Sequence, residues 1–262
     1  MKSLAIFALS TLAAASAFAL SPSDNGSITI SGSSAQTASV NGSNVNNKAN
    51  ASAYANQNLA SNKGNVTISG ISTQTAAADN SNVSNLATNG GDVAVQNLAS
   101  NVGNATVGPR SVSLSPPMIK GKSEQTVSLS GGNMYNTAEG DGCGDKCSPD
   151  ATAIAYQSAS SNFGDVQISG TSKQYTGIQN STAWNLAKGG GAVAVQNMSS
   201  NYGTVTISGA STQTTWIAGG SSVGNFANGT NAAAYQNLAS NDSCEPPPTV
   251  CVGPACGPFA SR

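Results

Sequence analysis

The sequence predicts an all-β fold, a β-solenoid of stacked rungs, and three features carry that prediction. A motif of about 39 residues recurs five times, side chains alternate with a period of two inside the copies, and Asn-x-Gly triplets punctuate the strands at a fixed place. A period of two is the signature of extended backbone, and strands that repeat in one register stack best on copies of themselves. A helical reading fails: Gly, Ser, Thr and Asn are poor helix interiors, and no 3.6-residue period appears.

The repeat is set by Gln-Asn-Leu-Ala-Ser-Asn at Gln57 and again at Gln96, with variants beginning at Gln157, Gln196 and Gln236, at spacings of 39, 61, 39 and 40. A second glutamine recurs at Gln36, Gln74, Gln125, Gln174 and Gln213, each inside a segment resembling Val-x-Ile-x-Gly-x-Ser-x-Gln. In that half-repeat Val66, Ile68, Gly70, Ser72 and Gln74 share one parity, as do Val205, Ile207, Gly209, Ser211 and Gln213. The other half reads Ala-x-Ala-x-Gln-x-Leu-x-Ser, as in Ala53, Ala55, Gln57, Leu59 and Ser61. Between them lie Asn62-Lys63-Gly64, Asn101-Val102-Gly103, Asn162-Phe163-Gly164 and Asn201-Tyr202-Gly203, where Asn and Gly tolerate the positive φ of tight turns.

Stacked in register, all ten glutamines are expected to form ladders along the axis, amide on amide, because a buried Gln is costly unless its donors and acceptor are met. Successive motif glutamines are separated by 21, 17 and 22 residues before the enlarged third repeat and by 17, 22, 17 and 23 after it. That alternation admits one larger rung of three strands per repeat, but favours two short rungs of two strands.

The third repeat is expected to be interrupted by a looped-out insertion over residues 108–150. Residues 109–150 hold nine of the 21 charges, and Pro116-Pro117 cannot continue a ladder.

Composition narrows function further. The 262 residues include 10 basic and 11 acidic side chains, only 8% charged where an ordinary soluble domain carries about 25%. Histidine is absent, which removes the commonest general base and the usual zinc ligand, so the chain is read as a non-enzyme with no metal and no cofactor. Gly220-Ser221-Ser222-Val223-Gly224 matches a nucleophile elbow but has no histidine to serve it. A formal net charge of -1 gives no footprint for nucleic acid and little repulsion between copies, which favours self-association.

Residues 1–19 read as a secretory signal: a short basic start, an apolar stretch from Leu4 to Ala15 and the small-x-small site Ala17-Phe18-Ala19. The stretch is too short to span a bilayer, and the mature chain is expected outside the cell and not membrane-spanning. The repeats then occupy 20–242, and a Pro- and Cys-rich tail occupies 243–262. Cys143 and Cys147 fall in the insertion and Cys244, Cys251 and Cys256 in the tail; as disulfide candidates they are odd in number, which leaves one thiol without an internal partner.

The run from Gly190 through Ala192, Ala194 and Gln196 to Asn201, Thr206, Ile207 and Gln213 resembles the repeats of curlin, the curli fibre subunit. It is also similar to Fap-type fibre subunits, whose chains end in closely spaced cysteines. The period near 39, the single rather than double Gln and the wider cysteine spacing depart from these patterns. The resemblance implies a secreted subunit that polymerises into amyloid-like fibres for biofilm matrix or surface adhesion, with itself as first partner, and with a nucleator subunit and an outer-membrane secretion pore as others. The alternative is a monomeric solenoid that binds a surface, either ice or glycan. Outward Thr73, Thr75, Thr212 and Thr214 suit ice, whereas Lys173 and Tyr175 at equivalent positions interrupt the threonine array.

Overall fold

The computed structural model describes residues 27–50, 53–88, 92–103, 117–140, 153–164, 166–189, 191–229 and 232–242. Each repeat forms one rung of a parallel β-solenoid with five strands. The first rung contains β1 (Ser27–Ile30), β2 (Ser33–Asn41), β3 (Asn44–Asn50), β4 (Tyr54–Leu59) and β5 (Asn62–Lys63). The second contains β6 (Asn65–Ile68), β7 (Ile71–Asp79), β8 (Asn82–Thr88), β9 (Val93–Leu98) and β10 (Asn101–Val102). In the third are β11 (Met118–Ile119), β12 (Lys122–Ser130), β13 (Asn133–Glu139), β14 (Ile154–Ala159) and β15 (Asn162–Phe163). The fourth runs through β16 (Val166–Ile168), β17 (Thr171–Gln179), β18 (Thr182–Lys188), β19 (Val193–Met198) and β20 (Asn201–Tyr202). Last come β21 (Val205–Ile207), β22 (Ala210–Ala218), β23 (Ser222–Asn228), β24 (Ala233–Leu238) and β25 (Asn241–Asp242). Equivalent strands pair in parallel to make five five-stranded sheets, numbered here 1 to 5 in the order a rung visits them.

Two expectations need correction. The expected pair of short rungs per repeat is one five-stranded rung, because the alternating glutamines occupy different sheets: Gln36 pairs with Gln74 in sheet 2, and Gln57 with Gln96 in sheet 4. The 17- and 22-residue gaps are the two ways round one rung. The expected insertion over 108–150 is also too broad. β11, β12 and β13 stack between the second and fourth rungs along their whole length. Ser123, Gln125, Val127 and Leu129 keep the buried parity, while Lys122, Glu124 and Glu139 take the outward one, where water and neighbours meet their charge. Residues 104–116 and 141–152, with Cys143 and Cys147, lie outside the described residues, as do the signal segment and Cys244, Cys251 and Cys256.

The interior suits a chain with few large side chains. Alanines of sheets 3 and 4, among them Ala87, Ala94, Ala138, Ala155, Ala187 and Ala194, form one fully buried column set. Leu98, Leu129, Met134, Ile178 and Met198 fill the wider space between sheets 2, 3 and 4. Ile68, Ile119 and Ile168 stack in sheet 1. Burying each such side chain contributes about 1.5–3 kcal/mol.

Two bends fix the outline. At the corner after sheet 4, Ala60, Ala99, Ser160, Ser199 and Ala239 all adopt φ of 46–51°, a left-handed conformation that costs a non-glycine residue roughly 1–2 kcal/mol. The sequence placed the positive-φ turn slightly later, at Asn-x-Gly; there the asparagine is a strand residue and only Gly64, Gly164 and Gly203 have positive φ. Between sheets 1 and 2, a Cβ on Gly70, Gly121, Gly170 or Gly209 would lie 2.0–2.1 Å from the carbonyl oxygen of the equivalent glycine one rung earlier. Only glycine lets the rungs close at that corner.

Candidate functional site

The repeating features of the stack are its internal polar columns, its outer face and its two ends. Gln57, Gln96, Gln157, Gln196 and Gln236 form the predicted ladder without a break. Each amide donates to the one below: Gln96 to Gln57 at 2.8 Å, Gln157 to Gln96 at 2.9 Å, Gln196 to Gln157 at 2.6 Å and Gln236 to Gln196 at 2.6 Å. Gln36, Gln74, Gln125, Gln174 and Gln213 also align in register, but only Gln74 and Gln36 are joined amide to amide, at 3.2 Å. The others turn sideways: Gln125 donates to Ser161 O, Gln174 to Ser200 O and Asn201 Oδ1, and Gln213 to Asn241 Oδ1. Their oxygens at Gln74, Gln125 and Gln174 are buried without a hydrogen-bond partner.

Two asparagine ladders do what the second glutamine column was expected to do. Asn47 donates to Asn85 at 2.7 Å, Asn85 to Asn136, Asn136 to Asn185 and Asn185 to Asn225, the last three at 2.8 Å. Asn62, Asn101, Asn162, Asn201 and Asn241 form the other, with bonds of 2.9, 3.0, 2.8 and 2.7 Å. Both asparagine ladders donate toward the C-terminal rung, whereas the glutamine ladder donates toward the N-terminal one. Beside them, the N–H groups of Ser100, Ser161, Ser200 and Ser240 each donate to the Oγ of the serine one rung earlier. Sequence reading assigns Asn62, Asn101, Asn162 and Asn201 to turns and does not single out the other column, although Val-x-Asn-x-Ala at Val45–Ala49, Val83–Ala87 and Val223–Ala227 has strand parity.

Sheet 4 is buried on both faces in the second to fourth rungs. The residues of opposite parity to the ladder, Val93, Val95, Ile154, Tyr156, Val193 and Val195, are buried and form one cluster with Val102, Phe163 and Tyr202. Phe163 stacks on Tyr202 with centroids 5.2 Å apart, and Tyr156 meets Phe163 edge-on at 5.6 Å. Burial, reinforced by Tyr202 and Tyr235, holds the Tyr156 hydroxyl far above its usual titration range. The strand signal for a sheet buried on both faces, a near-continuous apolar run such as Ala192-Val193-Ala194-Val195, was present in the sequence.

The outer face of sheet 2 is not a threonine plane. Its columns read Ala35, Thr73, Glu124, Lys173, Thr212 and Thr37, Thr75, Thr126, Tyr175, Thr214. Glu124 contacts Lys122 at 2.9 Å and Lys173 at 3.8 Å, and Lys188 contacts Glu139 at 3.3 Å. On sheet 3, Trp184 lies against Tyr135 and Phe226, with centroids 6.3 and 5.7 Å away, and is exposed.

The ends are unlike the middle. Ile207, Ile217 and Leu238 of the fifth rung are 37–40% exposed, while their equivalents Ile168, Ile178 and Met198 one rung earlier are at most 1% exposed. Among the described residues the last rung thus shows an open section of core, and its strands pair on one side only.

Among the described residues no group of three His, Cys, Asp or Glu side chains lies close enough to hold a metal ion, and no helix is long and apolar enough to cross a membrane. No protein-family model, no curated protein and no solved structure matches the chain.

Proposed function

We propose that the chain is a secreted structural subunit that polymerises by edge-to-edge β stacking into extracellular, amyloid-like fibres for biofilm matrix or surface adhesion. The observation that supports it is the open fifth rung, where Ile207, Ile217 and Leu238 stand in water although the second to fourth rungs bury their equivalents. An exposed core section flanked by unpaired edges recruits more strand. The ladders support the same reading, because amide columns gain from each added rung and have no natural end.

Electron microscopy and fibre diffraction of the purified protein test the proposal. The expected result is unbranched fibres with a meridional spacing of about 4.8 Å. A chain that stays monomeric for days at high micromolar concentration overturns it. The column of half-buried Tyr135 and exposed Trp184 and Phe226 favours a second reading, a monomeric glycan-binding solenoid, for which glycan-array binding without fibres is the discriminating result.

A further inference from the structure

We infer that copies join head to tail, the fifth rung of one docking on the first rung of the next in the register that already relates consecutive rungs, and that Gly32 admits this junction. The inference rests on the fibre reading above and adds its polarity, its register and the residue that gates it.

The glycine column carries the argument furthest. Gly70, Gly121, Gly170 and Gly209 are required because a Cβ would strike the preceding rung's glycine carbonyl. That same carbonyl accepts the N–H of the residue after each glycine: Gly32 O accepts from Ile71, Gly70 O from Lys122, Gly121 O from Thr171 and Gly170 O from Ala210, at 2.8–2.9 Å. Gly32 is the first member of the column. A Cβ there would meet nothing within 4 Å, and its φ lies outside the left-handed range, so its own chain does not require glycine. Glycine in a strand context is otherwise unfavourable. A fifth rung from another copy supplies the missing reason: Gly209 O would face Gly32 and accept the N–H of Ser33.

The polar ladders fit the same junction and no other. Asn225 and Asn241 end the columns that donate toward the C-terminus, and Asn47 and Asn62 begin them with amide oxygens. The glutamine column runs the other way, so the next copy's Gln57 would donate back to Gln236 Oε1. All three ladders continue across a head-to-tail joint. Two like ends would meet with antiparallel strands and mismatched columns.

Apolar and charged columns agree. The exposed Ile207, Ile217 and Leu238 would cover Ile30, Val40 and Leu59, which are less buried than their equivalents in the second to fourth rungs or only partly buried. In sheet 3, Phe226 would come to lie beside Lys48.

The test measures elongation of wild-type seeds by total-internal-reflection microscopy, with Gly32→Ala, Ser39→Ala and wild-type protein as the added monomer. Ser39 is an exposed outward residue whose column next holds Ala77, so its variant is expected to elongate seeds normally. Gly32→Ala is expected to keep the wild-type circular dichroism spectrum and thermal midpoint yet elongate about tenfold or more slowly, because overpacking appears only at the junction. Fibres that accept Gly32→Ala at the wild-type rate overturn the register while leaving the fibre reading standing. Absence of wild-type fibres removes that reading and this inference with it. Should Gly32→Ala alter the monomer, the sheet 3 column decides: wild-type monomer elongates Phe226→Lys seeds slowly because Lys48 meets a like charge, Lys48→Glu monomer restores the rate, and failure of that rescue overturns the inference.

Discussion

Gln196 Nε2 donates to Gln157 Oε1 at 2.6 Å, joining side chains 39 residues apart in sequence and one rung apart in space. Gln196 also accepts from Gln236, so its amide is used on both sides inside a core with no exposure. Replacing it by Glu puts an acceptor against Gln157 Oε1 and a charge where water is excluded. Gln196→Glu is expected to destabilise the protein by about 3 kcal/mol or more at neutral pH, measured by denaturant midpoint. Desolvation raises the folded carboxyl pKa above its unfolded value of about 4.3, so more protons are bound in the folded state. Stability is then greatest below about pH 4 and falls as pH rises. A variant insensitive to pH between 3 and 7 would show that the amide is not held in the ladder.

The asparagine ladders give a sharper contrast. Asn136 donates to Ala94 O, Tyr156 O and Asn185 Oδ1 and accepts from Asn85, all inside the core. Asn82 makes a similar column with Asn44 and Asn133 on the outer face, at 2.9 and 2.7 Å, where water substitutes for a lost partner. Asn136→Ala is expected to cost about 2–4 kcal/mol and Asn82→Ala less than about 1 kcal/mol. Equal costs would mean that burial does not govern these bonds.

Much of this architecture is legible in the residues, and the losses have physical reasons. Strict alternation through Val66, Ile68, Ser72 and Gln74 fixed the strand face, and the common register of the Gln57 column followed from it. The Asn85 and Asn101 columns were hidden because asparagine is a turn former by propensity, and parity outranks propensity once a side chain faces a ladder. The Gln174 column misled for the opposite reason: a nearer acceptor, Asn201 Oδ1 at 3.1 Å, competes with the next glutamine. The third rung reads as a loop when its charges are taken without their parity. Lys122, Glu124 and Glu139 all point outward.

The left-handed alanines were not legible at all, since nothing in Leu-Ala-Ser marks positive φ. They permit a stabilising substitution. Ala239 has φ 50° and is exposed, so glycine there relieves backbone strain without deleting a buried methyl group. After the larger chain entropy of glycine in the unfolded state is subtracted, Ala239→Gly is expected to gain about 0.5–1 kcal/mol. Ala99, whose methyl is fully buried in the core, should gain less from the same change. Calorimetric midpoints of the two variants check the order.

Tyr156 supplies the last prediction, and its sign is fixed by the direction of one pKa. The side chain is only 3% exposed, and desolvation, then the neighbouring Tyr202 and Tyr235, hold its hydroxyl pKa well above the ordinary value. In the unfolded chain the same hydroxyl ionises near pH 10. The folded state therefore keeps a proton that the unfolded state releases, so this contribution to stability is fully present below about pH 10 and is lost as pH rises beyond it. One retained proton corresponds to about 1.4 kcal/mol per pH unit. Denaturant midpoints measured from pH 7 to 12 should be level at first and then fall, and Tyr156→Phe should make the alkaline fall shallower by about that slope. Because Phe keeps the edge contact with Phe163, the two proteins should differ far less at neutral pH than at pH 12. Parallel curves would place the Tyr156 hydroxyl in water and remove the buried second face of sheet 4 from the account of what holds the stack together.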